Sequence, residues 1–217
     1  MAENIFYLLF LTSLYLIYKS STEKNYKYDI LAGIFIGLAS LSRFAAAALI
    51  AIVIILLIFK IIKKEFFEIK KKIVIGIVSL VVVSPWLIRN ALSFGFTLKG
   101  LLGQYSIEIT KQVSNYPLNI FYWILLYLAY FLLASFFIIT IFAFSNLKEK
   151  LKDKKMKIFV IITIITLLVI LIGAAQHAAK SALKEKTNLP GLIGRPIGRY
   201  VDTALPILYL LGIISYC

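Results

Sequence analysis

The sequence predicts an all-α, polytopic membrane helix bundle, and three observations carry that prediction. Of the 217 residues, 61% are hydrophobic and 16% charged. A soluble domain carries roughly a quarter charged residues, and a disordered chain is poor in apolar ones. Both classes are therefore excluded, and the mean hydropathy of +0.93 agrees. Next, the apolar residues come in long runs near the length of about 20 that crosses a bilayer as a helix. Finally, runs such as 158–172 lack the alternating polarity of barrel strands, which leaves helices as the spanning element.

Five runs read directly as crossings: 3–18, 73–88, 117–144, 158–179 and 201–217. The stretch 30–59 is ambiguous. As one helix it would be about 45 Å long at 1.5 Å per residue, against a hydrocarbon core of about 30 Å. Arg43 stands near its middle. A charge at the bilayer centre costs at least about 2.5–3.5 kcal/mol, and placing it at an interface avoids most of that. The reading adopted is two short helices, 30–42 and 44–59, with Arg43 at the turn; a single tilted helix is the other. Seven crossings result, in one transmembrane domain over 1–217.

The loops then alternate sides. Residues 19–29, 60–72 and 145–157 hold 15 Lys and no Arg, whereas all four Arg (Arg43, Arg89, Arg195, Arg199) fall on the other side beside five Lys. The denser set belongs in the cytoplasm by the positive-inside rule, which puts the N-terminus outside. The net charge of +14 is read as basic loops on anionic lipid, not as a nucleic-acid surface. The expected location is the cell membrane, multi-pass. No signal peptide is expected at Met1. Both ends read as cut, as if the chain were a piece of a longer protein. The single cysteine, Cys217, excludes an internal disulfide.

Lysine is a solvated point charge, while arginine is a rigid fork that holds a phosphate bidentately. The segregation of the two therefore points to an outward site for a lipid-linked phosphate, formed by Arg43, Arg89 and Arg199. Four ordinary snorkelling arginines are the competing reading. Gly33 and Gly37 form a small-xxx-small face suited to close helix packing. Pro85-Trp86-Leu87-Ile88-Arg89-Asn90 is expected to close a helix at the outer face, with Trp86 as an interfacial anchor. Asp202 and Glu3 each open a helix, where a carboxylate suits the helix dipole. His177 is the only histidine and cannot make a zinc site alone, so no metal or other cofactor is assigned. Supporting positions for the phosphate site are Glu3, Asn90, His177, Tyr200 and Asp202; no catalytic residue is assigned.

Taken in order, an acidic residue opening the first helix, "AGIFIGLASLSR", "VVVSPWLIRNALSFG" and "GRYVDTALPILYLLG" resemble the GT-C glycosyltransferases. The nearest branch is the protein O-mannosyltransferase-like and aminoarabinose-transferase-like group. The resemblance implies transfer of a sugar from a polyprenyl-phosphate carrier to an extracytoplasmic acceptor, with Arg43, Arg89 and Arg199 near the carrier phosphate. It also implies a catalytic aspartate in the first extracytoplasmic loop. That region would precede Met1 here, and Glu3 comes too late in the pattern to replace it. The expectation is a fragment without transfer activity of its own, whose missing portion is a partner chain. A transporter fragment and a non-catalytic membrane subunit are the alternatives from other classes; no internal repeat supports the former.

Overall fold

The structure, a computed structural model, describes residues 2–43, 46–97, 116–134, 151–184 and 206. Two compact units divide the chain, Met1–Lys111 and Gln112–Cys217. All regular elements among the described residues are helices.

The first unit holds α1 (Ala2–Thr22), α2 (Lys27–Ser42), α3 (Ala47–Ile62) and α4 (Phe66–Phe94). Helix α2 packs between α1 and α4, and α3 lies on α4. Contacts fix the directions. Ser20 of α1 meets Asp29 at the start of α2, and Phe6 lies under Arg43 at its end, so α1 and α2 are antiparallel. A Cβ on Gly33 would meet Val78 Cβ at 2.6 Å and the Ile75 carbonyl at 2.8 Å; one on Gly37 would meet Val82 Cβ at 2.5 Å. Both contact points advance by four residues, so α2 and α4 run parallel. The absent side chains at Gly33 and Gly37 are what let the two helices come this close.

Helix α2 stops where its own hydroxyls compete for its carbonyls. Ser40 donates to Ile36 O (2.8 Å) and Ser42 to Ala39 O (2.7 Å). Arg43 then turns extended, at φ −157° and ψ 138°, and its carbonyl accepts the Ala46 N–H at 3.0 Å. Helix α3 ends in a Schellman arrangement. Glu65 N–H reaches Lys60 O at 3.1 Å, Lys64 N–H reaches Ile61 O at 2.9 Å, and Lys64 takes φ 55°, where glycine is usual.

Helix α4 is longer than its apolar run. It begins at Phe66, so Lys70, Lys71 and Lys72 are helical and not part of a loop. It also passes through Pro85 to Phe94, so the segment 85–90 does not close it. Proline cannot donate to the carbonyl four residues back. Here that carbonyl, Val81 O, accepts the Ser84 hydroxyl at 2.8 Å instead.

In the second unit, α5 (Tyr116–Ala134) packs on α6 (Lys154–Lys184). Asp153 caps α6 by accepting the Met156 N–H at 3.1 Å. Trp123 and Tyr127 are buried, as are Val160, Ile170 and Ala174 on α6.

Three described helices are long and apolar enough to cross a membrane: Asn4–Thr22, Phe66–Phe94 and Lys154–Gln176. Helices α2 and α3 have 16 residues each, about 24 Å. The run 201–217 lies outside the described residues except for Pro206.

Candidate functional site

The register between α2 and α4 sets the arginines in relation to each other. Gly33 faces Val78 and Gly37 faces Val82, an offset of 45 positions. Carried to the end of α2, that offset puts Arg43 level with position 88. Arg43 and Arg89 therefore lie about 1.5 Å apart in height along the pair. Arg89 follows Val82 by two helical turns, so it projects from the side of α4 that faces α2. Because α2 has ended by that height, Arg89 is exposed. The Arg43 guanidinium sits 5.8 Å from the centroid of the Phe6 ring, within cation–π range. Phe6 is buried and tilts against Phe10, with 5.6 Å between ring centroids. Asn90, half-buried, follows Arg89 on α4. The start of α1, the end of α2 and the end of α4 thus share one end of the unit.

Of the other sequence-predicted positions, Glu3 and His177 fall on α1 and α6 by backbone, and their side chains lie outside the described part. Arg199, Tyr200 and Asp202 lie outside the described residues altogether, as does Arg195.

The opposite end of the unit contains a buried charge cluster that the sequence reading overlooks. Asp29, Lys71 and Lys72 are buried together with Ser20. Ser20 donates its hydroxyl to Asp29 Oδ1. Lys72 Nζ donates to Ser20 Oγ at 2.8 Å and Ser21 Oγ at 2.9 Å. Lys71 Nζ donates to the carbonyls of Ser20 and Glu23, the latter at 2.5 Å, and lies 3.6 Å from Glu68 Oε1. The Ser20 carbonyl is one of the last acceptors of α1, and the Glu23 carbonyl lies just past its end. A cation there also meets the negative end of the helix dipole. Asp29 precedes the apolar stretch of α2; burial pushes its carboxyl above the usual carboxylate range, against the Ser20 hydrogen bond and the two ammoniums. Asp29 Oδ2 and Glu68 Oε2 are buried without a hydrogen-bond partner among the described residues.

A run of lysines before an apolar segment reads as a solvated loop. The signal that could have separated Lys71 from Lys70 is spacing: Lys71, Ile75 and Ser79 recur every four residues on one face of α4, and all three are buried.

Chemically, the two ends differ. The cluster is filled from within by serine hydroxyls, carbonyls and two carboxylates. The other end has two guanidiniums at one height, one of them exposed, which suits a phosphate brought by a ligand. Residues 1–88 match a protein-family model described as dolichyl-phosphate-mannose-protein mannosyltransferase. The match covers Arg43 and stops one residue before Arg89. No curated protein and no solved structure matches the chain.

Proposed function

We propose that the chain is a membrane glycosyltransferase-like protein whose Arg43 and Arg89 hold the phosphate of a polyprenyl-phosphate-linked sugar. The observation that carries this reading is the common height of Arg43 and Arg89 at one end of the α2–α4 pair. Two guanidinium forks at one end of the unit can share one phosphate, each through charge-assisted hydrogen bonds. The family match over 1–88 supports the donor class, because that family is described by a dolichyl-phosphate-linked mannose. Arg199, Tyr200, Asp202, Asn90, Glu3 and His177 are the further candidates for the same site.

The orientation follows from charge. The end with the α1–α2 and α3–α4 connections carries the lysines and faces the cytoplasm. The arginine end and the N-terminus then face outward, where the donor sugar would be transferred. The proposed arrangement in the cell membrane has seven crossings, with α2 and α3 as a short pair turning at Arg43.

The test is binding of a polyprenyl phosphate to the reconstituted chain, compared with Arg43→Ala and Arg89→Ala. Loss of one charge-assisted contact, about 1.5–3 kcal/mol, lowers affinity roughly tenfold or more in each variant. Unchanged affinity in both variants would reject the site and leave two snorkelling arginines.

A further inference from the structure

The lysines at the connection end of the first unit are of two kinds. Lys71 and Lys72 are buried and used inside the fold, while Lys19 and Lys60 pair with Glu23 (3.4 Å) and Glu65 (2.5 Å). Lys24, Lys27, Lys63, Lys64 and Lys70 are exposed, and none has a carboxylate within 4.0 Å among the described residues. The two connections they occupy adjoin each other: Tyr26 and Phe67 meet edge to face at 5.6 Å, and Lys71 bonds the Glu23 carbonyl.

The same surface carries large apolar side chains. Ile62 is 73% exposed and Phe66 74%, on either side of the α3–α4 turn, with Ile61 and Phe67 also exposed. Lys63, exposed, holds its ammonium over the Phe59 ring at 4.5 Å. Lys64 occupies the left-handed position that glycine fills most easily, yet it is an exposed lysine. Apolar tips flanked by unneutralised cations match the boundary between anionic headgroups and acyl chains. A nucleic acid would use the charge and leave Ile62 and Phe66 in water.

We propose that the α3–α4 turn is an anionic-phospholipid site, with Ile62 and Phe66 at the headgroup–acyl boundary and Lys24, Lys27, Lys63, Lys64 and Lys70 on the headgroups. The site depends on the chain being membrane-embedded and not on the sugar-donor reading. The turn would seat unit 1 at a fixed depth and gather acidic lipid around its connections.

The experiment reconstitutes the full chain in phosphatidylcholine vesicles containing a trace of spin-labelled phosphatidylglycerol or spin-labelled phosphatidylcholine. The motionally restricted spectral component reports which lipid the protein holds. The wild type should favour phosphatidylglycerol by roughly fivefold or more at low salt, the order expected of one or more surface lysines, and lose most of that preference at high salt. Replacing all five exposed lysines by Gln should cut the preference by half or more at unchanged helix content, while five Lys→Arg changes should keep it. A second measurement does not depend on the fold of that variant: a nitroxide at Ile62→Cys in a Cys217→Ser background should report interfacial depth. No preference in the wild type, equal preference in the Gln variant, a label in bulk water, or salt-sensitive capture of a single-stranded oligonucleotide without lipid preference would each overturn the proposal. No arm reads donor binding or sugar transfer, so failure here and failure of the donor site are separable.

Discussion

The two ends of the first unit are built from the same helices and treat positive charge in opposite ways. At the connection end, Lys71 and Lys72 reach across from α4 and finish the C-terminus of α1, with Asp29 and Glu68 as counter-charges. At the other end, Arg43 lies against Phe6 and Arg89 projects into the open at the same height. Lysine suits the first role because its long stem can cross a helix contact and its three donors can serve carbonyls in several directions. Arginine suits the second because its fork stays charged and flat and matches the geometry of an oxyanion. Buried lysines thus complete the fold at one end while arginines, one of them exposed, stand at the other, a difference that net charge alone does not show.

Removing one charge at each end tests that separation most severely. Lys71→Met leaves the Ser20 and Glu23 carbonyls and Glu68 without their ammonium. Breaking a buried charge network in this way costs about 3–5 kcal/mol. Arg89→Met touches an exposed side chain and should change stability by no more than about 0.5 kcal/mol. Unfolding both variants in mixed micelles checks the pair; equal losses would erase the distinction between the two ends.

A smaller effect concerns the helix contact that joins the ends. Gly33→Ala puts a methyl 2.6 Å from Val78 Cβ and 2.8 Å from a backbone oxygen, so α2 and α4 must separate. Overpacking of this kind costs about 1–3 kcal/mol. Gly76→Ala meets nothing within 4 Å and serves as the control, expected to be neutral or mildly stabilising. Gly33→Ala should also weaken polyprenyl-phosphate binding, because the shared height of Arg43 and Arg89 depends on this register. Intact binding in a variant with loosened helices would detach the arginine pair from the α2–α4 contact.

The smallest effect is a gain. Lys64→Gly relieves a left-handed residue and should raise stability by about 1 kcal/mol in the same unfolding assay, while reducing the phosphatidylglycerol preference. A stability loss would mean that the Lys64 side chain contributes to the fold.

The helical class is legible in the sequence because unbroken apolar runs leave no other way to satisfy a backbone in lipid. Helix ends are less so. The apolar pattern places the first helix at 3–18 and the fourth at 73–88, whereas the structure runs α1 to Thr22 and α4 from Phe66 to Phe94. The added turns mix charged and apolar residues, and at the connection end they are held by contacts between distant segments, such as Lys72 with Ser21, which local composition does not encode. Pro85 reads as a terminator, but the Ser84 hydroxyl beside it satisfies the carbonyl that proline strands. The two glycines four apart do signal a close packing face, and they face α4. Their partner, and with it the common height of Arg43 and Arg89, follows only from the register, which needs the structure. The buried cluster is hidden for a simpler reason: a lysine inside and a lysine outside look alike until the helix face they share is known.

The bond from Lys71 to the carbonyl of Ser20 spans 51 residues of chain. It therefore has a consequence for biogenesis. As synthesis proceeds from the N-terminus, α1 and α2 are complete long before residue 71 exists. During that interval the α1–α2 hairpin presents Asp29 and the end of α1 without Lys71 and Lys72, the two ammoniums that meet them in the fold. It cannot settle into lipid at that stage without a cost that its later partner removes. The ribosome must add α3 and the first turns of α4 before the hairpin becomes self-sufficient, so until then those polar groups require water or the insertion machinery. A chain halted before residue 71 would therefore present the quality-control system with an unfinished helix end.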